Sequence, residues 1–182
     1  LYEAENLCPL TIEALEETYY TQLNIKDNDE DDKEIKIRIG GIIDRIDHVC
    51  IEGKRQLRIV DYKTSVSIEE SASIEALFDS NNTKRSHHIL QAMYYAMAVS
   101  EKVTEPIGIS LNYVKKIKGK HPYLTNINKT PITDFSNQAL ESYRSLMTSV
   151  ITEIFDKTIP FRANTKSKSC SFCEFKELCK QK

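Results

Sequence analysis

The chain has 182 residues, 40 % of them apolar and 29 % charged, with a formal net charge of −2. That is an ordinary balance for a soluble globular protein, long enough for one domain with its own core, and it excludes a uniformly basic nucleic-acid-binding chain. No run of 18 apolar residues and no signal-peptide pattern is present, so neither a membrane span nor secretion is expected, and a cytoplasmic protein is. Residue 1 is Leu rather than Met, and residues 1–182 are expected to be a single domain at the C-terminal end of a longer protein.

In chain order, "LTIEALEETYY" (10–20) has apolar residues at Ile12, Leu15 and Tyr19, near-helical spacing behind Pro9, which predicts a short helix giving way to a strand near "TYYTQLNI". Residues 27–34, "DNDEDDKE", carry six acids and one Lys and predict an exposed loop or hairpin tip. "EIKIRIGGIIDRIDHVCI" follows, with Ile35, Ile37 and Ile39 alternating against Lys36 and Arg38 as in a half-buried strand. Gly40–Gly41 allows a bulge or a close backbone approach. "EGKR" (52–55) is a turn, and "QLRIVDYKT" returns as an antiparallel strand. A polar loop with a short helix at 68–78 leads to "HHILQAMYYAMAVSEK", an amphipathic helix that His87 and His88 open. "IGISLNYVKKI" is a further strand, and "KGKHPYLTNI" a hairpin connection with its return. Residues 136–156 predict one long helix ended before Pro160. The order is that of a mixed α/β domain with a central sheet.

The chemistry concentrates at residues 41–63. Asp61 and Lys63 are two apart, so in a strand they share a face, roughly 7 Å apart along the chain. Asp44, on the neighbouring strand, comes within roughly 5 Å of that line if the register permits. Two close carboxylates repel each other, and a divalent cation relieves that repulsion. Asp-x-Lys alone is equally consistent with a surface ion pair. Asp47, three residues after Asp44, faces the other side and is structural together with Arg45. The five cysteines are at 8, 50, 170, 173 and 179. An odd count without a secretory signal argues against a disulfide framework, and the terminal trio suits a metal or cluster. Lys115, Lys116, Lys118 and Lys120 form a basic run without acids, and the tail from Lys157 to Lys182 carries seven basic residues and two acidic ones. The two segments line one phosphate-binding groove, or are scattered solvated lysines.

Taken together, "GIIDRID … IVDYKTS … QAMYYAM … CSFCEFKELC" resembles the PD-(D/E)XK nuclease superfamily, from about residue 35 to the C-terminus. More narrowly it is similar to the RecB/AddB-type nuclease domain of bacterial helicase–nuclease repair proteins, and to CRISPR-associated exonucleases that carry an iron–sulfur cluster. The resemblance implies a restriction-endonuclease-like fold, a central mixed sheet flanked by helices. It implies a Mg²⁺- or Mn²⁺-dependent DNA exonuclease whose partners are DNA and a helicase-type domain or subunit. Asp44 and Asp61 would be metal ligands with the backbone carbonyl of Tyr62, Lys63 the catalytic lysine, and Gln91 and Tyr95 the Q-x-x-x-Y element. The family's further metal ligand, a His on an earlier helix, has no counterpart before Asp44. Glu13, Glu16 or Glu17 would substitute, or the ligand precedes Leu1. Cys170, Cys173 and Cys179 match the last three ligands of a [4Fe–4S] cluster, the fourth being Cys8 or a residue upstream, and such a cluster belongs to the full-length protein. Zn²⁺ also fits the spacing. A different class remains: a catalytically silent DNA-binding or docking domain that kept the fold. A sequence-specific restriction enzyme is disfavoured by the cysteine tail.

Overall fold

The computed structural model describes residues 3, 6–26, 33–51, 53–65, 68–116, 124–162, 173–175 and 177–178. Its centre is a four-stranded mixed sheet in the order β1-β2-β3-β4, made of β1 (Thr11–Lys26), β2 (Glu34–Ile51), β3 (Lys54–Lys63) and β4 (Ile107–Tyr113). The first three strands are antiparallel, and β4 runs parallel to β3. A parallel return needs a crossover. It is supplied by α1 (Glu75–Phe78) and α2 (His87–Ser100).

The helix expected over residues 10–20 is strand instead, paired with β2 along its length. The helical spacing of Ile12, Leu15 and Tyr19 is a by-product of irregular pleating. The register shifts between Ile12 and Ala14, and Glu16 has φ 49°. Each irregularity resets the two-residue period, so apolar residues fall three and four apart in an extended chain. Beyond it the alternation is regular. Leu23 and Ile25 of β1 pack with Ile35, Ile37 and Ile39 of β2 against Met147 and Ile151.

Gly40 and Gly41 permit close approaches, as their pairing suggested. A Cβ on Gly40 would lie 2.0 Å from the Tyr19 carbonyl oxygen. One on Gly41 would lie 2.9 Å from the Tyr94 hydroxyl and 3.2 Å from the Tyr95 ring. Here β2 also changes face. Gly41 and Ile43 turn toward α2, and so does Ile46, three residues after Ile43. The switch falls at Asp44, in the register opposite the left-handed Glu16.

The amphipathic helix α2 lies on this face. Ser86 caps it, its Oγ accepting from Ile89 N at 3.0 Å. Ile89, Ala92, Met93 and Ala96 are fully buried against Ile46, Leu57, Ile59, Ile107 and Ile109. The long helix expected at 136–156 is two helices, α3 (Phe135–Gln138) and α4 (Leu140–Phe155), separated by Ala139 with φ −141°. The break lets Phe135 and Tyr143 meet edge to face at 6.0 Å, while the Tyr143 hydroxyl donates to Leu90 O at 2.7 Å. Between β4 and α3 lies a two-stranded ribbon, β5 (Asn126–Ile127) and β6 (Thr130–Pro131). Its two-residue turn takes Asn128 and Lys129 to φ 48° and 62°, the left-handed pair that matches strand twist.

On the opposite face, Asp47 is fully buried and structural, as expected. Its carboxylate accepts from Arg58 Nε at 3.0 Å and Nη2 at 2.9 Å, and Arg45 Nε lies 2.8 Å away. Glu3 binds both arginines, at 2.7 Å to Arg45 and 2.9 Å to Arg58, and so ties the N-terminal segment to the sheet. The attraction of the two guanidiniums outweighs the desolvation that opposes it, and the Glu3 carboxyl is held below its ordinary range.

Candidate active site

The β2–β3 ladder runs from Ile51↔Lys54 to Arg45↔Val60 and stops. One step further the same register sets Asp44 beside Asp61. The Tyr62 N–H donates to Asp44 Oδ2 at 2.8 Å. The strands thus part into a fork whose mouth holds two carboxylates, and one of them satisfies a backbone donor left free by the parting. β3 stays paired with β4 as far as Lys63↔Tyr113, so Asp61 and Lys63 sit on rigid backbone.

Asp61 is 4 % exposed. Burial raises its pKa, the Lys63 ammonium opposes that rise, and the Asp44 charge adds to it, leaving the net shift upward. Lys63 Nζ is 2.5 Å from Asp61 Oδ2, a close and largely buried ion pair. Lys63 also donates to Gln91 Oε1 at 2.6 Å, and Gln91 Nε2 donates to Tyr95 Oη at 2.9 Å. Gln91 and Tyr95 are one turn apart on α2, and Gly41 leaves the room that the Tyr95 ring occupies. Five residues singled out from the sequence, Asp44, Asp61, Lys63, Gln91 and Tyr95, therefore form one connected group.

Three further side chains stand beside it. His88, in the first turn of α2, has Nδ1 3.1 Å from the Tyr113 hydroxyl and 3.5 Å from Glu69 Oε1. Tyr113 accepts from Glu69 N at 3.0 Å. Glu69 in turn accepts from Ser86 Oγ at 2.7 Å and from His88 N at 3.1 Å. His87 and His88 do open α2. The doublet was the only sequence signal for this network, because Glu69 and Tyr113 reach it through the crossover.

The donor set suits a divalent cation. The Asp44 carboxylate is near enough for its charge to disfavour ionisation of buried Asp61, in a site where desolvation already does so. No cluster of three or more His, Cys, Asp or Glu side chains able to hold a metal occurs among the described residues. Of the substitute ligands, Glu13 is bound to His48 Nδ1 at 2.7 Å and Glu17 to Tyr19. Glu16 stands across the ladder from Asp44, between the pairs Leu15↔Arg45 and Glu17↔Ile43. Cys8 and Cys173 are exposed, while Cys170 and Cys179 lie outside the described residues. Lys115 is exposed in a 3-10 turn after β4 that also includes Lys116, and Lys118 and Lys120 lie outside the described residues. No helix among the described residues is long and apolar enough to cross a membrane.

A sequence profile of the PD-(D/E)XK nuclease superfamily matches residues 2–180, nearly the whole chain. The chain belongs to the PD-(D/E)XK nuclease superfamily. The mixed sheet flanked by helices is the superfamily's restriction-endonuclease-like architecture. No curated protein matches the chain. In this PD-(D/E)XK domain Asp61 and Lys63 occupy the last residues of β3, at the mouth of the fork.

Proposed function

We propose that this PD-(D/E)XK domain is a Mg²⁺- or Mn²⁺-dependent deoxyribonuclease that hydrolyses phosphodiesters, and that it serves as the exonuclease module of a helicase–nuclease repair protein. One observation carries the reading: Asp44 and Asp61 meet where β2 and β3 part, with the Lys63 ammonium 2.5 Å from Asp61 and hydrogen-bonded to Gln91.

Asp44, Asp61 and the Tyr62 carbonyl would hold the cation. When bound, it offsets the carboxylate repulsion and stabilises charge on the phosphate in the transition state. Lys63 is placed to hydrogen-bond the attacking water or a non-bridging phosphate oxygen, with Gln91 fixing its direction and Tyr95 fixing Gln91. Water oxygen bonds to phosphorus, the P–O bond to the leaving strand breaks, one water proton departs to solvent, and the leaving oxygen takes up a proton. The surroundings of Lys115, Lys116, Lys118 and Lys120 would follow the DNA backbone.

The exonuclease role, the helicase-type partner, a [4Fe–4S] cluster on Cys170, Cys173 and Cys179 with Cys8 or an upstream residue, and a cytoplasmic location rest on the motif resemblance. A cluster would need a reducing compartment.

The test is cleavage of end-labelled single- and double-stranded DNA with Mg²⁺, with Mn²⁺ and with EDTA, by the wild type, Asp61→Asn and Lys63→Ala. Metal-dependent cleavage lost in both variants, with the fold intact by circular dichroism, supports the reading. DNA binding without metal-dependent cleavage in the wild type would favour the silent docking domain.

A further inference from the structure

A cleft of about 500 Å³ opens beside the fork, between the segment 68–72 that follows β3 and the β5–β6 ribbon. Leu111 and Tyr113 of β4 line it, and they are the register partners of Asp61 and Lys63. Adjacent strands lie about 4.8 Å apart. The β4 wall of the cleft is therefore one strand spacing from the strand that carries Asp61 and Lys63, which makes the cleft a neighbour of the reacting centre. The volume lies within the usual range for small-ligand pockets, about 300–1,000 Å³.

Its lining selects the chemistry. Ile68, Leu111 and Leu124 supply apolar wall, and Leu111 and Tyr113 are almost fully buried, so the cleft has depth. Asn126 and Asn128 bring exposed side-chain amides to its rim. Glu69 and Glu70 bring two carboxylates, which accept from amino or imino N–H groups, and Lys129 brings one ammonium, so the lining carries one net negative charge. Apolar wall with amide and carboxylate edges suits a flat, neutral, hydrogen-bonding ring. The segment 68–72 and the ribbon are fastened together by the Ser71↔Ile127 bridge and by Asn128 N donating to Ser71 O at 3.0 Å, so the two walls form one unit.

We propose that this cleft is a nucleoside subsite that takes an unpaired base adjoining the phosphate held at Lys63. The proposal rests on the nuclease reading and extends it to the substrate. A base inside a duplex cannot enter a cleft without leaving its stack and its partner, so the domain selects single-stranded or frayed ends.

Binding is measured on the full chain carrying Asp61→Asn, which separates recognition from cleavage. The probes are a fluorescent oligothymidylate and an abasic strand of the same length and charge. The subsite predicts that the oligothymidylate binds about tenfold tighter than the abasic strand, the loss expected for one missing base contact. Adding Ala72→Phe, which fills the cleft from an exposed position, or Asn126→Ala, which removes one amide, should weaken the oligothymidylate and leave the abasic strand unchanged. Equal affinity for both strands, no binding of either, or variants that weaken both strands alike would overturn the subsite. Metal-dependent cleavage by the unsubstituted chain is scored separately. If it persists, the subsite alone has failed; if it is absent, the nuclease reading has failed.

Discussion

Removing the buried carboxylate of Asp47 tests how the sheet bears its load of charge. Asp47 is fully buried and in contact with Arg58 at 2.9 and 3.0 Å and with Arg45 at 2.8 Å. In Asp47→Ala both guanidiniums keep Glu3 as their one anion among the described residues, and the Arg58 side chain is 1 % exposed, so water cannot replace the lost partner. Breaking a buried pair from one side destabilises by about 3–5 kcal/mol. Glu3 still neutralises part of the charge, which places the expectation near the lower end, about 3 kcal/mol. For a chain of this size each kcal/mol shifts Tm by about 2–4 °C, so a fall of about 6–12 °C follows. Thermal and urea unfolding followed by circular dichroism measure it. Below the transition, Mn²⁺ affinity and cleavage per folded molecule should match the wild type, because Asp47 faces away from the fork. A Tm within about 2 °C of wild type would refute the buried-charge argument. Lost Mn²⁺ binding at unchanged stability would instead make Asp47 a ligand.

Other substitutions probe the fork and its support. Asp61→Asn should raise thermal stability at neutral pH: the folded-state pKa of Asp61 is raised, so its ionised form opposes folding once pH exceeds the ordinary aspartate value of 3.8, and the gain should vanish below that value. Glu3→Gln should lose stability at neutral pH. The pKa of Glu3 is lowered in the fold, so its contribution is present above the ordinary glutamate range and is lost as pH falls through the depressed value; wild type and variant should converge in acid on a pH series of unfolding curves. Gly41→Ala should lower cleavage far more than Tm, since a Cβ there meets the Tyr94 hydroxyl and the Tyr95 ring rather than backbone and displaces the tyrosine that orients Gln91. Equal activity in Gly41→Ala would detach Tyr95 from the chemistry.

What was legible in the sequence depended on distance along the chain. Asp61-x-Lys63 and Gln91-x₃-Tyr95 are set by the two-residue period of a strand and the turn of a helix, so their facing followed from spacing alone. The meeting of Asp44 with Asp61 needed only a short hairpin turn and its register. The first strand was misread because its irregularities, the register shift near Ile12 and the left-handed Glu16, convert a strand's alternation into three- and four-residue spacing. The same irregularity is useful at the site, since β2 changes face opposite Glu16 and brings the Asp44 carboxylate to the Tyr62 N–H. The break at Ala139 was hidden because Phe135, Ala139 and Tyr143 recur at four-residue intervals, as in an unbroken helix. Glu69, His88 and Tyr113 come together only through the β3–β4 crossover, which no local pattern encodes. Cys170 and Cys179 lie outside the described residues, so the cysteine motif rests on spacing.

The most direct measurement is a crystal soaked in Mn²⁺ and examined by anomalous scattering. A peak between the carboxylates of Asp44 and Asp61, absent from Asp61→Asn crystals, is the expected result. A cation bound elsewhere in a protein that still cleaves DNA would contradict a metal site at the fork.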